Sequence, residues 1–399
     1  MQSLSKWKGL ILAALCAGLT LAPARAKDYT PKLINLVNAC PAANPNCLSF
    51  PVAAVVNSLN NRVYVADYFA QQLIVIDGTT NQVVNNIPIP QCSQNYTSAN
   101  GPGGAPANVV FNSKSNLYYV FMTNGCYWVA DGNTDQLLTS VQITSAPASS
   151  GYFGPGPYTA EAALNNKTGK LYVTNYLEAL YIFDGNTGTL LNKIVDLDAN
   201  DMTLDEKTNL VYLSQYYEGS VFVIDGDTNE LVNILSNVVP ATGPAGCWLV
   251  DGGYNCTAQG PDLDKLTINP ANPEQAFAQT VYGPTWVVNA RTGATISLLP
   301  ELAGTDGSTA INPNNNLYYF AYAYGGVLQI IDVASLKVVL DQMPIGPAPS
   351  PPACFFNCLP YPNGLLVGAL AVNPHNGKIY AGTQGAAGFP AQVWIYQQP

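Results

Sequence analysis

The chain is 399 residues long, with 15 basic and 25 acidic side chains, one histidine and a formal net charge of −10. That balance excludes a nucleic-acid partner, whose affinity rests on phosphates neutralised by Lys and Arg. Charged residues make up only 10% of the chain, against 24 Tyr, 34 Gly and 30 Pro, so the surface must be made polar by amides and hydroxyls, a composition suited to an acidic medium where carboxylates lose their charge.

At the amino end, Lys6 and Lys8 precede an apolar run from Gly9 to Ala22, and Ala24-Arg25-Ala26 places small residues where a signal peptidase reads. The run is too short to span a bilayer, and no later stretch reaches about 18 uninterrupted apolar residues. The expectation is a secretory signal peptide over residues 1–26, then a single domain over 27–399 that is secreted or periplasmic, soluble and without a membrane span. Cys16 raises a lipid anchor, but Leu15 stands where a lipoprotein signal needs a small residue. Cleavage near Ala26 removes Lys6, Lys8 and Arg25 and no acid, leaving 12 bases against 25 acids, or −13. It also leaves eight of the nine cysteines, an even number that in an exported chain predicts a disulfide framework. A metal-thiolate site is the weaker reading, because paired CxxC spacing is missing.

The first predicted strand, "KLINLVN" at Lys32–Asn38, has no partner nearby in the sequence. A phrase then recurs: "LIVIDGTTNQVV" around Asp77, "YWVADGNTDQLL" around Asp131, "LYIFDGNTGTLL" around Asp184 and "VFVIDGDTNELV" around Asp225. Worn copies follow at Asn289, "TWVVNARTGATI", and Asp332, "LQIIDVASLKVV", and the last ends the chain at Tyr396, "QVWIYQQP". The intervals of 54, 53, 41, 64, 43 and 64 residues vary in the connectors while the phrase keeps its length.

Each copy parses as short strands rich in Val, Ile, Tyr and Leu between Gly, Asn and Asp turns, with no helical period. In the third, strand a is "TAEAALN", b "LYVTNY", c "ALYIFD" and d "TLLNKIV". Four strands per period predict an all-β, seven-bladed β-propeller of four-stranded antiparallel blades. The last copy has "GALAVNP", "KIYAGTQ" and "QVWIYQ" but no strand d. Lys32–Asn38 is therefore expected to complete it and close the ring. The stretch "LYVTNYLEALYIFDGNTGTLLNKI" resembles the YVTN family of propeller repeats, Tyr172-Val173-Thr174-Asn175 spelling the name, with related phrases "VYVADY", "VYLSQY" and "LYYFAY". The resemblance covers nearly all of residues 32–399 and implies a propeller of an exported or surface protein, with no single reaction attached.

In such a ring the d-to-a and b-to-c connections share one face, and the eight mature cysteines map to it. The expected bridges are Cys40 with Cys47, Cys92 with Cys126, Cys247 with Cys256 and Cys354 with Cys358. Such staples offset loop entropy, and they also fix a face for binding. Tyr96, Tyr152, Phe153, Tyr158, Trp248, Tyr254, Phe355, Phe356 and Tyr361 make the same loops aromatic, suiting sugar, peptide or protein surfaces. Tyr68, Tyr176, Tyr216 and Tyr322, aligned at the ends of strands b, read as packing between blades.

Strand a ends at an aligned Asn or Asp: Asn57, Asn112, Asn165, Asp205, Asn269, Asn312 and Asn373. Four residues earlier stand Ala53, Asn108, Glu161, Asp201, Lys265, Ser308 and Ala369, so neighbouring blades bring Asn108, Glu161, Asp201 and Lys265 to one level at the channel mouth. Converging oxygens are ligands of the kind calcium uses, an arrangement that resembles gluconolactonase-like propellers in architecture alone. The alternative is a solvated channel in which Lys265 pairs with Asp201 or Glu161. His375, in an a-to-b turn on the opposite face, offers no Ser-His-Asp triad, conventional zinc site or haem ligation. The recurrent "DGxT" reads as turn chemistry.

Two functions follow as expectations. One is a non-catalytic, exported, monomeric scaffold without cofactor whose stapled aromatic face binds a protein, glycan or cell-envelope component. The other is a metal-dependent lactonase or lyase, with Glu161, Asp201 and Asn108 as calcium ligands and Lys265 as an electrostatic or acid-base group.

Overall fold

The computed structural model describes residues 28–39, 49–92, 104–143, 159–175, 179–197, 199–215, 218–239, 247–250, 253–256, 263–280, 284–299, 307–322, 326–346, 367–384 and 391–398. Within them seven four-stranded antiparallel sheets follow one another. The third blade, Thr159–Asn165, Lys170–Asn175, Ala179–Asp184 and Leu190–Val195, runs in simple meander order. The innermost strands are Pro51–Asn57, Pro106–Asn112, Thr159–Asn165, Asp201–Asp205, Leu263–Ile268, Gly307–Asn312 and Val367–Asn373. Each touches the next, and the last touches the first, so the sheets form a closed ring around a channel. The seventh blade takes its outer strand from Lys32–Asn38, antiparallel to Gln392–Gln397 with Lys32 opposite Gln397 and Asn38 opposite Gln392. The predicted propeller and its closure are thus both present.

Packing follows from a sheet's need to cover two faces. The middle strands are almost wholly buried, as in Arg62–Asp67 and Gln72–Asp77, while the outer Val83–Pro88 is largely exposed. Tyrosines of the second strands fill the gaps between blades: Tyr64 of the first stacks on Tyr118 of the second at 4.4 Å, and Phe277 of the fifth on Tyr318 of the sixth at 4.5 Å. Of the aligned tyrosines at the ends of strands b, Tyr322 is buried and Tyr68 half-buried, while Tyr176 and Tyr216 lie outside the described residues.

The Asp-Gly phrase is turn chemistry. Asp77 accepts from the backbone N–H of Thr79 at 2.8 Å and Thr80 at 2.7 Å. Asp131, Asp184 and Asp225 repeat this pair of bonds. The glycine is needed because the c-d turn folds onto the a-b turn of its own blade: Gly78 N–H donates to the Asn61 carbonyl at 2.8 Å, and a methyl at Gly78 would overlap that oxygen. The marker asparagines also join blades, Asn57 Nδ2 donating to Asn116 Oδ1 at 2.8 Å and Asn165 Nδ2 to Asn209 Oδ1 at 2.5 Å.

One element departs from the sequence reading. Between the fourth and fifth blades, where only a connector is expected, Cys247–Val250 and Gly253–Cys256 form a two-stranded hairpin. The two residues between the paired Val250 and Gly253 are Asp251-Gly252, and Asp-Gly is a hairpin signal that lies outside the blade repeat.

Candidate functional site

Five of the seven inner strands carry a register shift near their start, among them Pro106/Asn108, Thr159/Ala162 and Leu263/Lys265. A bulge re-aims the side chain it carries, and these sit where Asn108, Glu161 and Lys265 occur. In the third blade Thr174, the Thr of Tyr-Val-Thr-Asn, holds the irregular stretch: its Oγ1 accepts from Glu161 N–H at 3.0 Å.

The four residues selected by alignment meet. Lys265 Nζ donates to Glu161 Oε1 at 2.9 Å and to Asp201 Oδ1 at 3.3 Å, and Asn108 Nδ2 donates to Glu161 Oε2 at 2.7 Å. Asp201 Oδ2 accepts the Leu266 backbone N–H at 2.7 Å, and Asn108 Oδ1 accepts that of Val109 at 2.7 Å. Burial pushes the Asp201 carboxyl up to about 6, with Lys265 opposing and Glu161 adding to the rise. Burial works against the Lys265 charge as well, but the carboxylates of Asp201, Glu161 and Asp264 outweigh it and hold that pKa well above the ordinary lysine range. Asp264 and Asn200, which the alignment missed because they lie off the selected level, join the wall: Asn200 Nδ2 donates to Asp264 Oδ1 at 3.1 Å.

This constellation lines a cavity of about 620 Å³ at the channel mouth. Its opposite wall is apolar, made by Phe50, Val52, Ala53, Val367, Ala369 and Leu370, with Ser308 between the two halves. Asp67 fixes Phe50, its Oδ1 accepting the Phe50 N–H at 2.9 Å. The aromatic edge continues outward through Phe69, whose ring lies 6.3 Å from Phe50 and 5.1 Å from Tyr68.

The donor set does not fit a divalent ion as it stands. The amide oxygen of Asn108 is turned to its own backbone, and Lys265 lies between the carboxylates that calcium would bridge. Among the described residues no three His, Cys, Asp or Glu side chains converge to hold a metal. His375 is exposed in an a-to-b turn.

On the cavity's side of the ring, Cys92 and Cys126 form a disulfide with Cα atoms 6.3 Å apart. The hairpin register sets Cys247 opposite Cys256, Trp248 opposite Asn255 and Leu249 opposite Tyr254. Cys40, Cys47, Cys354 and Cys358, and with them Tyr96, Tyr152, Phe153, Tyr158, Phe355, Phe356 and Tyr361, lie outside the described residues, as does the signal segment 1–26.

No family model matches the sequence, and no curated protein does. Solved structures are similar in fold: Raptor from Chaetomium thermophilum, at TM-score 0.65 and 12% identity over 93% of this chain, and a chain of the Mitotic Checkpoint Complex, at TM-score 0.62 and 12% identity over 98% of both chains. The chain spans 30% of the Raptor chain. At this identity the likeness establishes the propeller alone.

Proposed function

We propose that the protein is an exported, non-catalytic propeller of the YVTN type that binds a protein, glycan or cell-envelope component through the face carrying the Cys92–Cys126 bridge and the Cys247–Cys256 hairpin. The observation that carries this reading is the closure of the channel-mouth chemistry. Asn108, Glu161, Asp201 and Lys265 are bonded to one another or to backbone, which supports a fixed wall for recognition over a lysine poised for proton transfer. The disulfide ties the connector after the first blade to the start of a second-blade strand, Cys126–Asp131, and the hairpin lies outside the blade repeat; both elaborate the same end, as binding loops on a rigid scaffold do.

The test uses the mature chain. Immobilised protein should retain an envelope component with EDTA present and release it when the disulfides are reduced. Lactone turnover that falls by one or more orders of magnitude on chelation would overturn the scaffold reading in favour of the metal-dependent enzyme. Export is checked separately: amino-terminal sequencing should start near Lys27, and non-reducing peptide mapping should pair Cys40 with Cys47, Cys247 with Cys256 and Cys354 with Cys358.

A further inference from the structure

The channel-mouth cavity has two unlike walls. Blades three to five supply Glu161, Asp201 and Asp264 against one Lys265, so the charged wall carries an excess of two negative charges when all four are ionised. Lysine has three N–H donors, and those of Lys265 reach Glu161 and Asp201, so the wall is negative even where its ion pairs are made. The facing wall, where the inner strands place Ala53 and Ala369 at the level of these charges, is small, apolar and edged by Phe50. Substituting alanine-sized residues on one side displaces the open volume toward it, which gives a guest room beside the charges rather than among them.

A second observation comes from the layer behind. Cross-strand register sets Ser214 opposite Asp201 and Gln279 opposite Lys265. Both are buried, at 0% and 1% exposure, and neither Ser214 Oγ nor the Gln279 amide has a hydrogen-bond partner. Buried polar atoms without partners are rare in native proteins, and this hydroxyl and amide, each a donor as well as an acceptor, stand in the row behind Asp201 and Lys265.

We infer that this cavity binds a small organic cation, an ammonium group carried on an apolar or aromatic body. The ammonium is drawn to the Glu161, Asp201 and Asp264 side, where its N–H groups find carboxylate acceptors with lone pairs to spare. The body lies on Phe50, Ala53 and Leu370 and meets the Phe69 edge. An anion of the same shape is repelled by the net charge, and a neutral alcohol lacks the charge-assisted bond. The inference rests on the reading of this face as a binding surface and supplies its ligand class.

The probe is phenethylammonium, titrated into the mature chain at neutral pH and followed by calorimetry, with 3-phenylpropionate and 2-phenylethanol as charge controls. The ammonium should bind at least about tenfold more tightly than either control, the ratio that one charge-assisted hydrogen bond supplies. Glu161→Gln should lower its affinity by about tenfold on the same grounds. Because Glu161→Gln also loosens Lys265, Ala53→Leu provides an arm that leaves the charges in place: it fills the apolar side and should abolish binding while the melting temperature stays near the parent's. Equal binding of all three probes, or ammonium binding untouched by Ala53→Leu, overturns the inference, as does the lack of any ammonium binding. Should phenethylammonium fail while an envelope component is still retained, the ligand class falls and the scaffold reading stands; the reverse result removes the macromolecular partner and keeps the cavity.

Discussion

The aspartate of the c-d turns in the first four blades works as a hydrogen-bond acceptor, and a neutral oxygen can take its place. In the fifth blade Asn289 makes the same two bonds, accepting from Arg291 N–H at 2.9 Å and Thr292 N–H at 3.0 Å. Asp77→Asn should therefore change stability by less than about 0.5 kcal/mol, while Asp77→Ala, losing both acceptors, should cost about 1–2 kcal/mol; equal losses in thermal denaturation would show the charge to be what matters. Asp201 behaves oppositely. Its folded pKa of about 6 lies above the ordinary 3.8, so between these values the native state holds the proton more firmly than the unfolded chain. Its contribution is complete below about pH 4 and is lost as pH rises through 6. The melting-temperature advantage of the parent over Asp201→Asn should shrink across that window, and a constant difference would show that burial has not raised this carboxyl. The sequence placed both groups, because a repeat aligns equivalent positions. It could not show that Lys265 reaches past Asp201 to Glu161, since a long side chain's direction depends on where the bulges turn it.

Between elements, the same device is used where the sequence supplies a cation. The first residue of strand b reaches the neighbouring c-d turn: Lys378 Nζ donates to the Gly78 carbonyl at 2.6 Å and to Asn81 Oδ1 at 2.8 Å, Lys170 Nζ to the Gly226 carbonyl at 2.5 Å and to Asn229 Oδ1 at 2.8 Å, and Arg62 meets Asp135 at 2.8 Å. The receiving residues share a left-handed backbone, with φ of 62°, 60° and 60° at Asn81, Asn229 and Asp135. Where strand b opens instead with Leu117 or Leu210, the neighbouring turn has Gly188 or Gly293 at that place, φ 70° and 72°. A polar acceptor occurs at the three turns where a cation arrives and glycine at these two, while the sixth blade's turn, beside a strand b that opens with Gln275, has Leu336 at the same place with φ 53°. Lys378→Met should then cost about 1–3 kcal/mol, because it strands Asn81 Oδ1 and leaves the Gly78 carbonyl with Asn376 Nδ2 at 3.3 Å, and the added substitution Asn81→Gly should recover part of that loss. If the double variant in urea denaturation is less stable than the single one, the pairing is incidental. Strand positions were legible from the alternating Val-Ile-Tyr pattern, but these links join residues 56, 73 and 300 apart, and no local pattern reports which side chains meet across blades.

At the scale of the ring, one strand decides whether the molecule is closed. Val37 and Ala39 pack in one cluster with Val393 and Ile395 of the seventh blade and Val63 and Ile74 of the first, so the amino-terminal strand completes a sheet and covers the seam between the ends of the chain. The Ala39 N–H donates to the Ala391 carbonyl at 2.9 Å beyond the strand itself. The sequence announced this closure, because the last repeat lacks a fourth strand and only one segment is unassigned. Deleting residues 32–38 should leave Gln392–Gln397 as an uncovered edge bearing Val393 and Ile395, a template for pairing with other chains. In a closed ring each blade is stabilised by two neighbours, so loosening the seam withdraws support from the first and seventh blades together and the loss should spread beyond the deleted contacts. The truncated chain is expected to melt well below the parent and to elute as dimers or larger species in size-exclusion chromatography. A synthetic peptide of residues 28–39 added in excess should restore the monomer by mass action, since it binds the folded ring and not the unfolded chain. A truncated protein as stable and monomeric as the parent would mean that the outer strand only decorates the seventh blade, and that Val367–Asn373 against Pro51–Asn57 suffices to hold the ring shut.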